Sequence, residues 1–272
     1  MSRWTSARPL RVTRFNRAIV RQPARSVVDG LRSGDGGDPT YEGVRYEHDA
    51  YVAALTSAGV AVTTLPPLEE LPDSVFVEDP ALVFPEGAIL LRPGAPSRAA
   101  EGGEIAPTLR AMFDVVLELP FGFADGGDVL VTPGQVIIGL SARTDRTGAE
   151  ALAVCLARLG RKAAIVETPA GVLHFKTACS LLDDETILCA PSLAGTGMFD
   201  GLREVVTPEG EDAAANALRI NDVVLAGAGF PRTIERLGSL GYTVVALPTC
   251  EIGKLDAGLS CMSLRWWDPE LD

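Results

Sequence analysis

The sequence is poor in the residues that build disulfide frameworks and metal centres. Its five cysteines form an odd set without a CxxC pair, and it has only two histidines. Neither a disulfide scaffold nor a structural zinc site is therefore expected, and unpaired thiols favour a reducing cytoplasm as the location. No apolar run approaches the roughly 18–20 residues that a membrane span needs, so no membrane partner is expected.

The chain also lacks the glycine motifs that bind nucleotide phosphates. It contains neither GxxxxGK nor a GxGxxG placed between a strand and a helix. The pair Gly126-Gly127 is therefore interpreted as a place where the backbone passes close to another segment.

Basic residues are outnumbered by acidic ones, 24 against 36, which gives a formal net charge of −12. A surface of this sign disfavours nucleic acid as a partner and suits a protein that handles small cationic molecules. With 47% hydrophobic and 22% charged residues, the composition is that of a folded globular protein rather than a disordered one.

The first 25 residues contain seven arginines and no acidic residue, a composition that resembles a transit peptide. No apolar signal core accompanies the arginines, and the segment becomes strand-like at residues 17–21. We therefore interpret residues 1–14 as a loose N-terminal tail and residues 15–272 as a single domain.

The rest of the chain divides into five similar units. Each unit has a β-branched strand that ends at a short polar or proline-containing loop, a second strand, a tight turn and a third strand, and most units add a helix. The predicted second strands are residues 74–79, 125–131, 173–177, 215–220 and the segment around Cys261. The last unit lacks its third strand and helix, which residues 15–21 and 41–58 can supply. This predicts an α/β ring closed by the N-terminal strand, without a free sheet edge.

In such a ring the starts of the five second strands face the centre. They carry a thiol, an imidazole, an amide and carboxylates: Glu78, Asp79, Asp125, His174, Asn216 and Cys261. Nucleophilic catalysis needs a thiol and a general acid or base, and carboxylates can hold a cation. A lone histidine or cysteine on a strand is commonly a packed core residue, but the coincidence of both in one register favours a functional pair. His48, which lies among charged residues of the predicted helix, is interpreted as a surface residue.

Six ordered segments closely resemble the dimethylarginine dimethylaminohydrolase family of the guanidine-modifying superfamily: residues 72–79, 92–98, 125–130, 141–144, 173–176 and 259–265. The resemblance extends from about residue 15 to residue 267, and the arginine and agmatine deiminases are similar more distantly. It implies a five-bladed α/β propeller of ββαβ-type repeats. The departures from the family pattern are the N-terminal tail and Asp125, where some members have glutamate.

The resemblance also implies a role for individual residues. The nucleophile falls on Cys261, the proton-transferring histidine on His174, and its supporting acid on Asp125. The carboxylates implied to hold the substrate are Asp73, Glu78 and Asp79. The arginines implied to bind the substrate carboxylate are Arg98 and Arg143. Backbone contacts are implied from the loop that ends at Leu31 and from Leu255 and Asp256.

The activity implied is hydrolysis of N-ω-methylated arginines to citrulline and a methylamine through a covalent thiouronium on Cys261, without a metal or other cofactor. The partner is then a small arginine-derived molecule, and a homodimer is left open. Two alternatives remain. One is a deiminase or hydrolase of arginine, agmatine or another N-substituted arginine, although Arg98 and Arg143 argue against agmatine, which has no carboxylate. The other is a protein that sequesters methylarginines or binds Zn²⁺ through Cys261 and His174 without catalysis.

Overall fold

The computed structural model of the protein describes residues 12–34 and 36–271, and its strands form five mixed sheets of three strands each. The strands are β1 (Arg17–Arg21), β2 (Ala61–Leu65), β3 (Ala81–Phe84), β4 (Gly87–Leu90), β5 (Val116–Glu118), β6 (Val129–Val131), β7 (Val136–Leu140), β8 (Ala163–Glu167), β9 (Cys179–Leu181), β10 (Thr186–Cys189), β11 (Arg203–Val206), β12 (Leu218–Ile220), β13 (Val223–Gly227), β14 (Thr243–Leu247) and β15 (Leu264–Trp266). The helices are α1 (Tyr41–Ser57), α2 (Glu101–Met112), α3 (Arg146–Arg158), α4 (Pro231–Ser239) and α5 (Cys250–Gly253).

Every sheet has the same connectivity, and we call each of the five sheets a blade. In the second blade β3 pairs antiparallel with β4 through a tight turn, and β4 pairs parallel with β5. A parallel pair needs a crossover connection, and α2 supplies it here, as α3 and α4 do between β7 and β8 and between β13 and β14. The five-unit repeat predicted from the sequence is confirmed.

The first blade combines the two ends of the chain. In it β1 pairs antiparallel with β15, with Arg17 opposite Trp266, and parallel with β2, with Arg17 opposite Ala61. The crossover from β1 to β2 is α1, which begins where predicted, at Tyr41, and ends one residue early. The predicted closure of the ring by the N-terminal strand is therefore correct.

Apolar clusters join neighbouring blades. One cluster packs Val20 of β1 and Tyr51 of α1 against Leu225 of β13, across the first and fifth blades. Another packs Ile89 of β4 against Val136 of β7 and Leu152 of α3. Each blade thus buries its faces against the next one, so the ring holds the ends of its strands at fixed positions around the axis.

The predicted second strands are wrong in one respect. Where the sequence predicts strands beginning at Ser74, Asp125 and Leu173, and another around Cys261, the chain forms a 3-10 turn, and the inner strand begins only after it. His174 and Asp125 each precede such a turn, and Cys261 lies within one. The turns form because the converging chains fix one another through hydrogen bonds between blades, such as Glu78 N to Cys261 O at 3.2 Å.

His48 is buried rather than on the surface, which corrects the sequence interpretation. The inner face of α1 is formed by residues at spacings of four, three and four: Val44, His48, Tyr51 and Leu55. Neither ring nitrogen of His48 has a hydrogen-bond partner among the described residues, and burial lowers its pKa. Of its charged neighbours, Asp49 is exposed, whereas Glu47 is buried and accepts hydrogen bonds from the first amides of α5.

The predicted loose tail falls largely outside the described residues. Of its last residues, Thr13 accepts a hydrogen bond from Asn221 N at 2.9 Å, and Arg14 forms an ion pair with Asp222 at 3.0 Å. Residues 13 and 14 are therefore attached to the fifth blade. Among the described residues, no helix has the length and apolar character needed to cross a membrane.

Candidate active site

Cys261 lies on the 3-10 helix Leu259–Met262, immediately before β15. It is partly buried, whereas the neighbouring Ser260 and Met262 are buried. Its Sγ accepts a hydrogen bond from Gly258 N at 3.5 Å and another from Asn216 Nδ2 at 3.9 Å. The turn thus presents one partly accessible sulfur with directed N–H donors, an environment that suits a nucleophile.

His174 stands at the start of the 3-10 helix Phe175–Thr177, and its Nε2 lies 3.0 Å from Asp125 Oδ2. The Asp125 carboxylate is fully buried, and its Oδ1 accepts a hydrogen bond from Gly94 N at 2.7 Å. Both carboxylate oxygens are therefore held, and the imidazole is oriented by one of them. A buried carboxylate that orients an imidazole and stabilises its cation supports acid and base catalysis.

Asp79 completes the group on the axis. Its Oδ1 accepts a hydrogen bond from Gly127 N at 2.9 Å. A Cβ on Gly127 would lie 2.9 Å from that oxygen and 2.9 Å from Cγ of His174, and one on Gly126 would lie 2.0 Å from the carbonyl oxygen of Glu78. The close backbone approach predicted for this glycine pair is confirmed, and without it the carboxylate and the imidazole could not share one site.

The charges at the site favour an imidazolium and a neutral thiol. Burial lowers the pKa of His174, but the carboxylates of Asp79, Asp125 and Asp128 outweigh burial and raise it to about 9. Burial raises the pKa of Cys261 to about 11, with a further contribution from Glu78 and Asp79. At neutral pH the free protein therefore holds a proton donor in His174 and a thiol in Cys261 that still needs a positive charge to ionise.

Asp79, Asp125 and His174 also meet the distance requirement of a metal site. One ligand atom from each of Asp79, Asp125 and His174 lies within 4.8 Å of the others. With its pKa raised to about 9, however, His174 is protonated at neutral pH and has no free lone pair for a cation. The group therefore fits acid and base chemistry better than metal binding.

Arg98 lies beneath Asp79 and is almost fully buried. Its Nη1 donates to Asp79 Oδ2, while Nε and Nη2 bind the two oxygens of Glu101 at 2.9 and 2.7 Å. Nη2 also donates to the carbonyl of Phe76 at 2.9 Å. Burial raises the pKa of Asp79, but Arg98 and then His174 outweigh burial and lower it to about 2, so this carboxylate stays ionised. One Nη1 proton of Arg98 remains for its predicted contact with substrate, which stays a prediction.

The side chain of Glu78 is committed to other protein groups. Its Oε1 pairs with Lys176 Nζ at 2.6 Å and Arg265 Nη2 at 3.1 Å, and its Oε2 accepts a hydrogen bond from Ser260 Oγ at 3.1 Å. Glu78 and Lys176 also line a cavity of about 830 Å³ that is not lined by Cys261. The structure thus gives Glu78 a place behind the nucleophile, and its predicted direct hold on substrate stays a prediction.

Asp73 lies close enough to Asp79 and Arg143 for both charges to act on its pKa. No hydrogen bond or ion pair is formed by the Arg143 side chain within residues 12–34 and 36–271, so its guanidinium is available to an anionic ligand. The Asp73 carboxylate accepts a hydrogen bond from Leu31 N at 3.0 Å. Burial raises its pKa, and Arg98, the Leu31 hydrogen bond and Arg143 lower it only in part. Asp73 therefore fastens the 30–34 segment to the site.

Asp256 fastens the same segment from the opposite side. Its Oδ2 accepts hydrogen bonds from Ser33 N at 2.5 Å and Ser33 Oγ at 2.8 Å. Leu255, next to it, is buried against the core. The loop that carries both residues follows α5, whose first amides, Glu251 N and Ile252 N, each bind the carboxylate of Glu47 at 2.8 Å. The predicted substrate contacts from Leu31, Leu255 and Asp256 thus come from segments that are bonded to one another.

Sequence reasoning missed three supporting residues. Asp128 accepts hydrogen bonds from Phe175 N at 2.8 Å and from Ser141 Oγ and Thr144 Oγ1 at 2.6 Å each, so it links the His174 turn to the Arg143 loop. Asp128 could have been found in the sequence as the second aspartate of the Asp-Gly-Gly-Asp segment. The others are Lys176, the partner of Glu78, and Glu101, the partner of Arg98, which no local pattern distinguishes from solvated charges.

Known proteins match this chain over almost its full length. The family model described as arginine deiminase matches residues 67–209. The N(G),N(G)-dimethylarginine dimethylaminohydrolase of Pseudomonas aeruginosa is 40% identical over 93% of this chain and 100% of its own. The protein of the same name from Streptomyces coelicolor is 34% identical over 92% of this chain and 96% of its own.

Solved structures agree with these matches. A cysteine-to-serine mutant of the Pseudomonas aeruginosa enzyme, complexed with citrulline, has a TM-score of 0.90 and 39% identity, and covers 92% of this chain and 99% of its own. The N-terminal domain of the cyanobacterial arginine dihydrolase ArgZ, with a TM-score of 0.82 at 20% identity, covers 93% of this chain and 98% of its own and shares the fold. The predicted five-bladed α/β propeller is confirmed.

Proposed function

Because this chain belongs to the dimethylarginine dimethylaminohydrolase family, we propose that it hydrolyses N-ω-methylated arginines, asymmetric dimethylarginine and monomethylarginine, to citrulline and the corresponding methylamine. The observation that carries the proposal is the buried His174–Asp125 pair, 3.0 Å apart and within 4.8 Å of Asp79, whose charge also acts on the partly accessible Cys261. A thiol, a proton-transferring imidazole and its supporting carboxylate are the groups that this hydrolysis requires.

Binding is the first step. The ionised carboxylate of Asp79 holds the substrate guanidinium without neutralising it, and Arg143 pairs with the α-carboxylate at the other end. Arg98 keeps Asp79 in place and donates its remaining N–H to the α-carboxylate of the substrate. The carboxylates of Asp73 and Glu78 also hold the substrate. Backbone groups of the segments that carry Leu31, Leu255 and Asp256 contact it as well.

Attack follows because the bound cation favours the thiolate. The positive guanidinium beside Cys261 lowers the pKa of a thiol that burial and carboxylates have raised to about 11. The thiol releases its proton to solvent, and the Sγ thiolate then forms a bond to the guanidinium carbon as the carbon–nitrogen π bond opens, which gives a neutral tetrahedral adduct. His174, which carries its proton at neutral pH, donates it to the departing methylamine nitrogen as the carbon–nitrogen bond breaks.

Hydrolysis of the resulting S-alkylthiouronium completes the reaction. The neutral His174 now accepts a proton from water as the water oxygen attacks the same carbon. The second tetrahedral adduct collapses with cleavage of the carbon–sulfur bond, and its hydroxyl proton passes to the departing Cys261 sulfur as the carbonyl forms. This releases citrulline and restores the Cys261 thiol and the imidazolium. Acid and base assistance of this kind contributes about 10² to 10⁴ in rate.

Two other functions use the same residues. The arginine deiminase match over residues 67–209 favours an enzyme that acts on arginine itself as the second candidate. A protein that only sequesters methylarginines is the third, and it would need Asp79 and Arg143 but not His174.

One experiment separates these functions. Purified protein is incubated with asymmetric dimethylarginine, monomethylarginine, arginine or agmatine, and both citrulline and the released amine are quantified. We expect citrulline from the methylated arginines, with dimethylamine or methylamine in equal amount. Cys261→Ser is the inactive control, and Cys250→Ser, at an exposed thiol, is the matched control that keeps wild-type turnover. Product from arginine alone would favour the deiminase, and binding without product would favour sequestration.

A homodimer and a cytoplasmic location complete the proposal. The sequence leaves the homodimer open and predicts the cytoplasmic location, which the five unpaired cysteines suit. Sedimentation velocity of the purified full-length chain tests the dimer.

A further inference from the structure

Asn216 is a buried amide at the sulfur that the mechanism above does not use. It follows the 3-10 helix Asp212–Ala215, just before β12 of the fifth blade, and contacts the Cys261 turn of the first blade. Its Oδ1 accepts a hydrogen bond from Ser260 N at 3.1 Å, and its Nδ2 lies 3.9 Å from Cys261 Sγ. Because Ser260 N must face an oxygen, the amide is oriented with its N–H groups toward the sulfur.

The backbone around the sulfur is fitted to this amide. A Cβ on Gly258 would lie 2.3 Å from Cγ and 2.5 Å from Nδ2 of Asn216, so the residue before the turn must be glycine. The N–H of the same Gly258 donates to Sγ at 3.5 Å. Two donors from different parts of the chain thus converge on one sulfur, and the bare glycine leaves room for both.

The sulfur needs these donors because some of the charged groups around it raise the pKa of the thiol and others lower it. Glu78 and Asp79 raise the pKa of the thiol, in addition to burial, whereas Lys176 and the Gly258 N–H lower it. Lys176 is itself paired with Glu78 at 2.6 Å, which weakens its effect, and His174 is bound to Asp125 at 3.0 Å. An amide donor adds stabilisation of the thiolate without bringing a further charge that would repel a cationic substrate.

We propose that Asn216 is a catalytic residue, whose Nδ2–H donates to the Cys261 sulfur and, with Gly258 N–H, stabilises the thiolate that attacks the substrate. The same donors hold the sulfur again when it departs in the second half of the reaction. This inference rests on the proposed function for the identity of what the thiolate attacks. Its test is made on the substrate-free protein, so that the two can fail independently.

The test measures how fast iodoacetamide alkylates Cys261 in Asn216→Ala, Asn216→Asp and the wild type. All proteins carry Cys250→Ser, and modification is followed by mass spectrometry of the peptide that contains Cys261. Below the thiol pKa, each unit by which the pKa rises lowers the thiolate fraction tenfold. The greater nucleophilicity of a more basic thiolate restores somewhat less than half of that loss on a logarithmic scale. A shift of about one to two units, as expected for loss of a donor to a charged group, therefore slows alkylation roughly 3- to 12-fold.

Asn216→Asp distinguishes stabilisation of the thiolate from a purely structural role. An aspartate can still accept the hydrogen bond of Ser260 N, so a structural role predicts wild-type alkylation and wild-type thermal stability. Our proposal predicts that this variant is slower than Asn216→Ala, because a carboxylate then faces the sulfur. Asn16→Ala, which removes an asparagine that binds Asp268 away from the site, is the matched control and should alkylate at the wild-type rate.

Slower alkylation in Asn216→Ala than in the wild type, and slower still in Asn216→Asp, with equal rates for all proteins in denaturant, supports the proposal. Wild-type rates in both Asn216 variants overturn it, and so does slowing in Asn216→Ala that Asn216→Asp restores. If Asn216→Ala does not fold, Asn216→Asp alone decides by the same criterion. A wild-type protein that alkylates as expected but produces no citrulline contradicts the proposed function and leaves the role of Asn216 at the sulfur in place.

Discussion

The charge on His174 can be detected in the stability of the protein as well as in its activity. In the folded state the pKa of His174 is raised to about 9, against an ordinary value of 6.5, mainly because Asp79 and the bonded Asp125 outweigh the effect of burial. At 1.36 kcal/mol per unit, this difference corresponds to about 3 kcal/mol of folding free energy. Since the folded pKa is raised, the stabilisation is fully present below about pH 6.5 and is lost as the pH rises through about 9.

The perturbation that isolates this charge is His174→Gln, which keeps a side-chain donor for Asp125 but cannot be protonated. We expect the variant to be less stable than the wild type by about 3 kcal/mol at or below pH 6.5, roughly 6 °C in melting temperature. The deficit should shrink through pH 8 and be nearly gone at pH 10. Urea unfolding and thermal melts of both proteins, at matched ionic strength across this range, measure it.

The other histidine provides the control. His48 is buried in α1 with a lowered pKa, so it is neutral in the folded state above about pH 6.5. His48→Gln should therefore change stability by an amount that is constant between pH 7 and pH 10. A deficit of His174→Gln that is equally constant over this range would refute the reasoning, because it would mean that His174 is neutral in the folded protein and cannot donate a proton at the first step.

Three further predictions concern the roles of single side chains. Cys261→Ser should retain substrate binding, measured by calorimetry, and lose turnover, because an alcohol of far higher pKa does not readily attack a guanidinium carbon; wild-type turnover would contradict the covalent mechanism. Arg143→Ala should raise KM for amino-acid substrates by about 10- to 100-fold with a smaller change in kcat. Arg98→Ala should raise KM too, and it should lower the free energy of unfolding by about 3–5 kcal/mol because Asp79 would lose its buried partner. Steady-state kinetics and melts that fail to separate the two arginines would argue against this division. Asp125→Asn should slow turnover without abolishing it, whereas His174→Ala should stop turnover. Mass spectrometry of the denatured, substrate-treated His174→Ala protein should find any covalent adduct on Cys261 and on no other cysteine.

The sequence by itself determined the repeat and the identities of the reacting groups. The alternation of β-branched strands, tight turns and helices predicted five units, and the missing part of the last unit predicted the pairing of β1 with β15. Because this periodicity is a local property of the sequence, it can be recognised in one sequence without an alignment. The thiol, the imidazole and the carboxylates were found because equivalent positions in the units point to one axis, and the family resemblance gave Cys261 and His174 their roles.

Only the tertiary structure decided how these side chains are shared between the site and its supports. The site residues sit on or beside 3-10 turns rather than strands because contacts between blades, such as Glu78 N to Cys261 O, replace the strand ladder at the axis. Adjacent carboxylates separate there, with Asp79 bound to Arg98 and Gly127 and Glu78 bound to Lys176 and Arg265. Arg98 lies in the same blade as Asp79, but Gly127, Lys176 and Arg265 come from other blades. Their pairing with Asp79 and Glu78 therefore depends on the packing of the whole ring and leaves no trace in local sequence.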